Sequence, residues 1–560
     1  MIGGVPRMEG TPMGRPRAAI SVAVAAILVA LASSRGAAGA ALRLHELSLE
    51  LPASPAAVVS TDLDGDGARD LAVLLVFTRW EQKMVTERSE MDAVQGFVEV
   101  MTIVPALLDH RELWFFRGDG KGGYARAGEP LPVPLSVHSL AVGPGGRRLF
   151  ALTDDGVGEV TWNGGLALVE RVRQRSLLAG SGVFVADLVL FAELTGDGRP
   201  DLLLPARDAL YVYAGEGDAF AGEPVARVPL PAADEVEGPG LELRYPLPEA
   251  RDVDGDHVVD LVWRDPRQGW QRPWVARGRG GGRFDAPLAP LPEPPERPER
   301  PEPRPEGVPA TMFFGDLDGD GRAEVVTQQT HELGEDAGMR AEIRDAESPR
   351  STVRVYATAD LESAAAPATI FEVRGHAFEE QNSDFDLPGG MQDLDGDGRL
   401  DLVTVELHIS ITRLLGGLTI GRVTLPMDFR VWCQTPSGGF KPVSGLDLSG
   451  SFRVDLASLT LRNLPSFGGD FDGDKRVDFV QLGRGKEVTI HTGRPGCGFP
   501  ASPDLTLKLR QEPRHLGLVR VRDLDGDGRS DLMVVQPGEA PERGVTPPAR
   551  LDLYLSGGAP

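Results

Sequence analysis

Short, partly β-branched apolar runs punctuate the chain: LAVLLVF from Leu71, LLLP from Leu202, LVW from Leu261, VVT from Val325, LVTVEL from Leu402, FVQL from Phe479 and LMVV from Leu532. Runs this short, bounded by turn residues, predict strands rather than helices. After a variable connection a second strand follows and ends in a Gly-rich turn with an aromatic, as in LWFFRGDGKGGY, LYVYAGEGDAF, WVARGRGGGRF, VWCQTPSGGF and VTIHTGRPGCGF. A further strand often comes next, as in PVARVPLP from Pro224. Each unit therefore reads strand, polar loop, strand, strand, strand. Four antiparallel strands repeated around an axis form a β-propeller.

The polar loop ahead of each apolar run is itself repeated. It reads DLDGDGARDL from Asp62, ELTGDGRPDL from Glu193, DVDGDHVVDL from Asp252, DLDGDGRAEV from Asp316, DLDGDGRLDL from Asp393, DFDGDKRVDF from Asp470 and DLDGDGRSDL from Asp523. A repeat of this kind sets the architecture. The starts are 53 to 77 residues apart except for a first gap of 131, about two units long. Inside that gap HSLAVGPGGRRLFALTDDGVGEVTWNGGLALVERVR reads as a complete unit whose acidic loop has decayed to PGGRR. The expected fold is all-β, a propeller of eight four-stranded blades, with seven blades and a large insertion as the alternative. The blades fall at about 56–135, 136–178, 183–231, 241–292, 309–375, 384–450, 462–510 and 515–560. The last repeat ends after its third strand, ARLDLYLSGG, and the orphan LRLHELSLELP at 42–52 is expected to supply the fourth, with 42–51 in the blade. Pairing the two ends would close the ring and remove an exposed sheet edge.

Some segments fall outside this pattern. EPPERPERPEPRPEG, 293–307, predicts an extended polyproline-like surface connection. Thr78 to His110 is an insertion expected to be partly helical, and Glu332 to Ser348 is a second polar insertion. At the N-terminus Arg15 and Arg17 precede a 15-residue apolar run, Ala18 to Ala32, and then small residues. This reads as a signal peptide, 1–40, cleaved after Ala38-Gly39-Ala40, ahead of a single propeller domain, 41–560. The alternative, an uncleaved anchor, needs about 20 apolar residues. The expectation is a secreted, periplasmic or cell-surface monomer with no membrane span after cleavage.

Charge sharpens the reading. The chain has 83 acidic and 58 basic residues, a net charge of −25. The seven loops hold 27 carboxylates at positions 1, 3, 5 and 9, and subtracting these leaves 56 acidic against 58 basic residues. The acidity is thus local, which points to bound cations rather than a basic partner. No basic stripe with interleaved aromatics indicates nucleic acid. The 69 glycines and 46 prolines, with no collagen period, suit many short strands and tight turns. The two cysteines, Cys433 and Cys497, lie in matching parts of adjacent repeats, and export permits a disulfide between them. Two buried thiols are the alternative.

Carboxylates crowded this closely repel unless protonated or neutralised, and a hard cation such as Ca²⁺ takes roughly six to eight oxygens from such a loop. The expected ligands are the side chains at positions 1, 3, 5 and 9 and the carbonyl at position 7. These are Asp62, Asp64, Asp66, Ala68 and Asp70; Glu193, Thr195, Asp197, Arg199 and Asp201; and Asp252, Asp254, Asp256, Val258 and Asp260. The later loops supply Asp316, Asp318, Asp320, Arg322 and Glu324; Asp393, Asp395, Asp397, Arg399 and Asp401; Asp470, Asp472, Asp474, Arg476 and Asp478; and Asp523, Asp525, Asp527, Arg529 and Asp531. An EF-hand would need an acidic residue at position 12 between helices, but position 12 is Val73, Leu204, Trp263, Thr327, Thr404, Gln481 and Val534. Up to seven structural calcium ions are expected. The loops from Glu193, Asp252 and Asp470 should bind more weakly, since Glu193 and Thr195 replace aspartates and His257 and Lys475 replace a glycine.

Repeated DxDGDGxxDL followed by a strand and a GxGxF-like turn resembles the FG-GAP or VCBS-type repeats of integrin alpha-chain propellers and of many secreted bacterial proteins. That resemblance implies a calcium-binding propeller and leaves the ligand open. The expected function is a non-catalytic binding or adhesion scaffold for an extracellular protein or glycan. The alternative is a polysaccharide-active, lyase-like enzyme, although no GxSxG, HExxH or phosphate-loop pattern occurs and the nine histidines form no sequence cluster. The tripeptide Arg117-Gly118-Asp119 reads as an ordinary blade turn.

Overall fold

In the strand Asp70–Thr78 every residue from Asp70 to Val76 is buried, because both faces of a central strand are covered by neighbouring sheets. The period of two divides them: Leu71, Val73 and Leu75 pack with Leu532's strand neighbours Met533 and Val535 and with Leu551 and Leu553, whereas Ala72 and Leu74 pack with Leu140, Leu149 and Ala151. A continuous apolar run is what a strand between two blades requires.

The computed structural model describes residues 42–78, 97–101, 108–186, 188–229, 234–236, 242–246, 248–263, 274–285, 289–290, 310–331, 338–357, 367–377, 390–409, 422–446, 448–455, 460–462, 465–482, 486–513, 518–539 and 545–557. Arg43–Pro560 form one compact unit, divided from Met1–Leu42. That unit is a propeller of eight four-stranded antiparallel blades. Numbered along the chain, blades 1 to 7 span 54–133, 137–173, 191–229, 249–290, 310–374, 390–455 and 465–508. Blade 8 spans 519–556 and takes its fourth strand from Leu44–Leu51. The 137–173 sheet, which lacks an acidic loop, is complete, and this decides for eight blades over seven.

Leu44–Leu51 pairs along its full length with Ala549–Ser556, from Leu44 opposite Ser556 to Leu51 opposite Ala549. The Ser48 hydroxyl donates to Asp552 at 2.6 Å, and Arg550 donates to the same carboxylate at 2.8 Å. Asp552 is fully buried, so these bonds satisfy a charge that the closing seam would otherwise strand.

Of the Thr78 to His110 insertion, Leu108–Gly118 begins a blade strand and Phe97–Met101 is a strand, correcting the helical expectation there; the rest lies outside the described residues. Phe97–Met101 pairs with Glu242–Pro246, which pairs with Asp234–Val236, in a satellite sheet. The second insertion forms the helix Met339–Glu347. It rests on blade 6, where the Ser348 hydroxyl donates to Glu406 at 2.7 Å and the Ile409 amide donates to Glu347 at 2.8 Å. The leader 1–40 and the connection 293–307 lie outside the described residues.

Candidate metal centres

Each acidic loop joins the first and second strands of its blade. The loops hold their shape through backbone conformation first. Position 4 is a glycine with φ between 73° and 83° in all seven, from Gly396 to Gly526. Position 6 is equally left-handed, and His257 (φ 64°) and Lys475 (φ 68°) adopt it without being glycine, at a cost of order 1 kcal/mol each. The first carboxylate then gathers these amides. Asp316 accepts from Gly319 at 2.7 Å and Gly321 at 3.0 Å, and Asp470 accepts from Gly473 and Lys475, both at 2.7 Å. The position 5 carboxylate accepts the amide of position 7, as Asp66 does from Ala68 at 2.9 Å.

Position 9 does something the sequence did not reveal. In six loops one of its oxygens accepts the amide of position 2 and the other accepts an amide from the end of the blade's third strand, while Glu324 accepts the Leu317 amide at 2.7 Å. Asp70 takes Leu63 and Gly118, both at 2.9 Å; Asp478 takes Phe471 at 2.7 Å and Gly493 at 2.9 Å; Asp531 takes Leu524 and Ser556, both at 2.7 Å. Asp201, Asp260 and Asp401 repeat the pattern with Gly215, Gly278 and Gln434. Each of these six aspartates is at most 1% exposed. The third-strand end comes so near that a Cβ at Gly118, Gly215, Gly278 or Gly493 would collide with the position 8 carbonyl, which accounts for the glycine recurring there. Gln434 and Ser556 fill the same place in blades 6 and 8.

Burying carboxylates beside one another raises their affinity for a proton. Burial first, and neighbouring loop carboxylates second, push Asp401 up to about 6, Asp478 and Asp531 up to about 7 and Glu324 up to about 8. Asp70, Asp260 and the third-position residues Asp395, Asp472 and Asp525 are raised for the same main reason.

The donor set fits a hard cation. Carboxylate oxygens of Asp62, Asp64 and Asp66 lie within 4.8 Å of one another, as do those of Asp252, Asp254 and Asp260, of Asp316, Asp318 and Asp320, and of Asp393, Asp395 and Asp401. The Oδ1 atoms of Asp395 and Asp472 are buried without a hydrogen-bond partner. Oxygen-only clusters with orphaned acceptors suit Ca²⁺. Position 7 arginines pair with the position 5 carboxylate inside several loops, as Arg199 does with Asp197 at 2.7 Å and Arg399 and Arg476 do with Asp397 and Asp474, and two loops also receive an arginine from the third strand. Arg117 places Nε 2.6 Å from Asp64 and Nη2 2.8 Å from Asp66, and Arg277 stands 3.0 Å from Asp254 and 3.6 Å from Asp260. Both arginines precede the clamp glycine, a position taken elsewhere by Ala214, Cys433, Thr492 and Leu555. At Glu193 the Thr195 amide donates to Asp201 at 2.9 Å and the Thr195 hydroxyl at 3.3 Å.

Arg117-Gly118-Asp119 is fully engaged within the blade: Arg117 on the loop, Gly118 on Asp70, and Asp119 accepting from Lys121 and Gly123 at 2.8 Å. Cys433 of blade 6 and Cys497 of blade 7 form a disulfide with Cα atoms 5.8 Å apart. Beside it the Gly496 amide donates to Asp395 at 3.1 Å, so the bridge also anchors a turn against the loop of blade 6.

Residues 252–327 match the FG-GAP-like repeat family, and this match together with the eight blades fits an FG-GAP repeat β-propeller protein. Among solved structures the chain is similar to the V. cholerae biofilm matrix protein Bap1, at 11% identity over 90% of this chain and 88% of that one, with a TM-score of 0.22. It is also similar to Zg3597, a family 117 glycoside hydrolase produced by the marine bacterium Zobellia galactanivorans, at 13% identity over 55% of this chain and 84% of that one, with a TM-score of 0.20. Likenesses this loose bear on neither activity nor ligand. No curated protein matches the chain.

Proposed function

We propose that this FG-GAP repeat β-propeller is an extracellular calcium-binding scaffold whose ions are structural and whose surface binds a protein or a glycan without catalysis. The observation that carries it is the crowding of three carboxylates within 4.8 Å in successive loops, next to a buried position 9 carboxylate. Calcium would be held by the side chains at positions 1, 3, 5 and 9 and would supply the positive charge that these groups otherwise take from protons. The chain's own residues do the rest: the first and fifth carboxylates fold the loop onto its amides, and the ninth ties it to the third strand.

FG-GAP repeats are typical of extracellular proteins, and no helix among the described residues is long and apolar enough to cross a membrane. A propeller by itself decides nothing about catalysis. A ligand that binds only the folded chain stabilises it by mass action. Melting of the exported domain in millimolar calcium should therefore lie several degrees above melting in EDTA, and magnesium should substitute poorly because it demands stricter octahedral geometry. Coincident melting curves in calcium and EDTA would refute the assignment.

A further inference from the structure

We propose that the cleft between blades 5 and 6 binds an acidic saccharide, a sugar carrying carboxylate or sulfate groups. This names a ligand class for the scaffold described above and rests on that reading for the folded, calcium-loaded ring. A cavity of about 350 Å³ is lined there by Arg350, Glu372, Val373, Arg374, Arg430 and Trp432.

Arg350 and Arg374 stand directly opposite each other on adjacent antiparallel strands. Like charges in that relation are unfavourable unless an anion lies between them. Both side chains are exposed, and neither guanidinium has a hydrogen-bond or ion-pair partner among the described residues. Their neighbours are already engaged. Arg430 pairs with Glu406 at 2.8 Å, while Glu372 accepts from the Thr352 hydroxyl at 2.7 Å and lies 3.4 Å from His331 Nε2. Among the described residues the cleft thus holds two guanidiniums without an anionic partner, in a chain whose net charge is −25.

An oxyanion, whether a planar carboxylate or a tetrahedral sulfate, can bridge two guanidiniums through charge-assisted hydrogen bonds. The half-buried indole of Trp432, packed 6.4 Å from the Phe371 ring, adds an apolar wall to the same cleft. A sugar acid brings every complement within one unit: anionic oxygens for Arg350 and Arg374, hydroxyls for Glu372 and an apolar C–H face for Trp432. A polyglutamate peptide brings the anionic oxygens without a ring face of C–H groups for the indole.

Arg350 and Arg374 stand remote from the acidic loops, although Trp432, opposite Leu402 and two residues before Gln434, reaches toward the loop of blade 6. Ala357 lies opposite Glu324 at the loop end of blade 5, and Arg350 lies at the other end of the same strand, roughly 23 Å away at strand rise. A sugar held at the loops through calcium would therefore ignore substitution of Arg350 and Arg374.

Calorimetric titration of the calcium-loaded exported chain should use an oligogalacturonate, a sulfated heparin-type oligosaccharide, a neutral oligosaccharide of equal length and a polyglutamate peptide. At least one acidic sugar should bind and the neutral one should not; which acidic sugar binds separates carboxylate from sulfate recognition. The double variant Arg350→Gln/Arg374→Gln should weaken that binding at least tenfold while melting in calcium at or above the wild-type temperature, because it removes a repulsion. Arg350→Lys, which keeps the charge and loses the planar fork, should fall between. No acidic sugar binding, undiminished binding in the double variant, or polyglutamate binding as tightly would each overturn the assignment. A missing calcium shift in melting would instead overturn the scaffold reading, and sugar binding that persisted without it would leave the cleft assigned.

Discussion

Position 9 of each loop is where burial and charge conflict most directly. Asp478 and Asp531 are pushed up to about 7 by burial and by nearby carboxylates, well above an ordinary carboxyl near 4. Between those values the folded chain binds more protons than the unfolded chain, so its stability must fall as pH rises through the window. The exposed carboxylates Asp66 and Asp197 are shifted the other way, held below the ordinary value by the Ala68 amide and by the Arg199 guanidinium respectively. In EDTA the melting temperature should accordingly drop between pH 5 and pH 8, and excess calcium should abolish the drop by replacing the proton; a metal-free melting temperature that rose over this range would contradict the account. Arg117 is the second decisive residue. Its guanidinium already sits on Asp64 and Asp66, so a cation must displace it from a loop whose sequence is otherwise complete. Arg117→Ala should tighten calcium binding at the Asp62 loop several-fold, as flow dialysis would detect, and unchanged or weaker binding would show that the arginine is no competitor. Sequence ranked the Asp62 loop among the strong sites because pattern matching cannot see a side chain arriving from 47 positions further along, between Asp70 and Arg117.

The loops are joined to one another as elements. The position 8 amide of one blade donates to the loop of the preceding blade: Leu400 to Leu317 at 2.8 Å, Val477 to Leu394 at 3.0 Å and Ser530 to Asp470 at 2.6 Å. Across the seam the Ser60 hydroxyl donates to Leu524 at 2.6 Å, and the Tyr124 hydroxyl donates to the same carbonyl at 3.0 Å. Ordering one loop therefore positions an acceptor for the next. In calcium, Asp395→Asn and Asp472→Asn, in adjacent loops, should combine non-additively, with a coupling of about 0.5–3 kcal/mol by double-mutant cycle. The pair Asp64→Asn and Asp395→Asn, in loops that share no such bond, should add. Equal coupling in both pairs would show that the chain of bonds carries nothing. This linkage was invisible in the sequence, where position 8 varies and the backbone groups of positions 1, 2 and 8 leave no trace.

At the scale of the whole molecule the ring stands or falls at one seam, since Leu44–Leu51 fills the open edge of blade 8. Its Leu47, Leu49 and Leu51 enter the same apolar cluster as Leu71, Val73, Leu551 and Leu553, so the strand holds blade 8 against blade 1 as well as completing it. Deleting residues 42–51 should lower melting by ten degrees or more in a single transition, and a small shift or a separate early transition would mean that the seam is peripheral. The repeat spacing, the apolar runs and the matching chain ends pointed to the all-β class and the closure and favoured eight blades over seven, because each is a local pattern repeated along the chain, while the complete 137–173 sheet decided the blade count. The crowding of the loop carboxylates was equally legible, since the residues that come together are near neighbours in sequence. Tertiary structure alone decided which loops receive an arginine from the third strand, how position 9 clamps that strand, that Cys433 meets Cys497, and that Arg350 faces Arg374. Each of these depends on strand register and on the approach of segments distant in sequence, and no local periodicity encodes the distance between them.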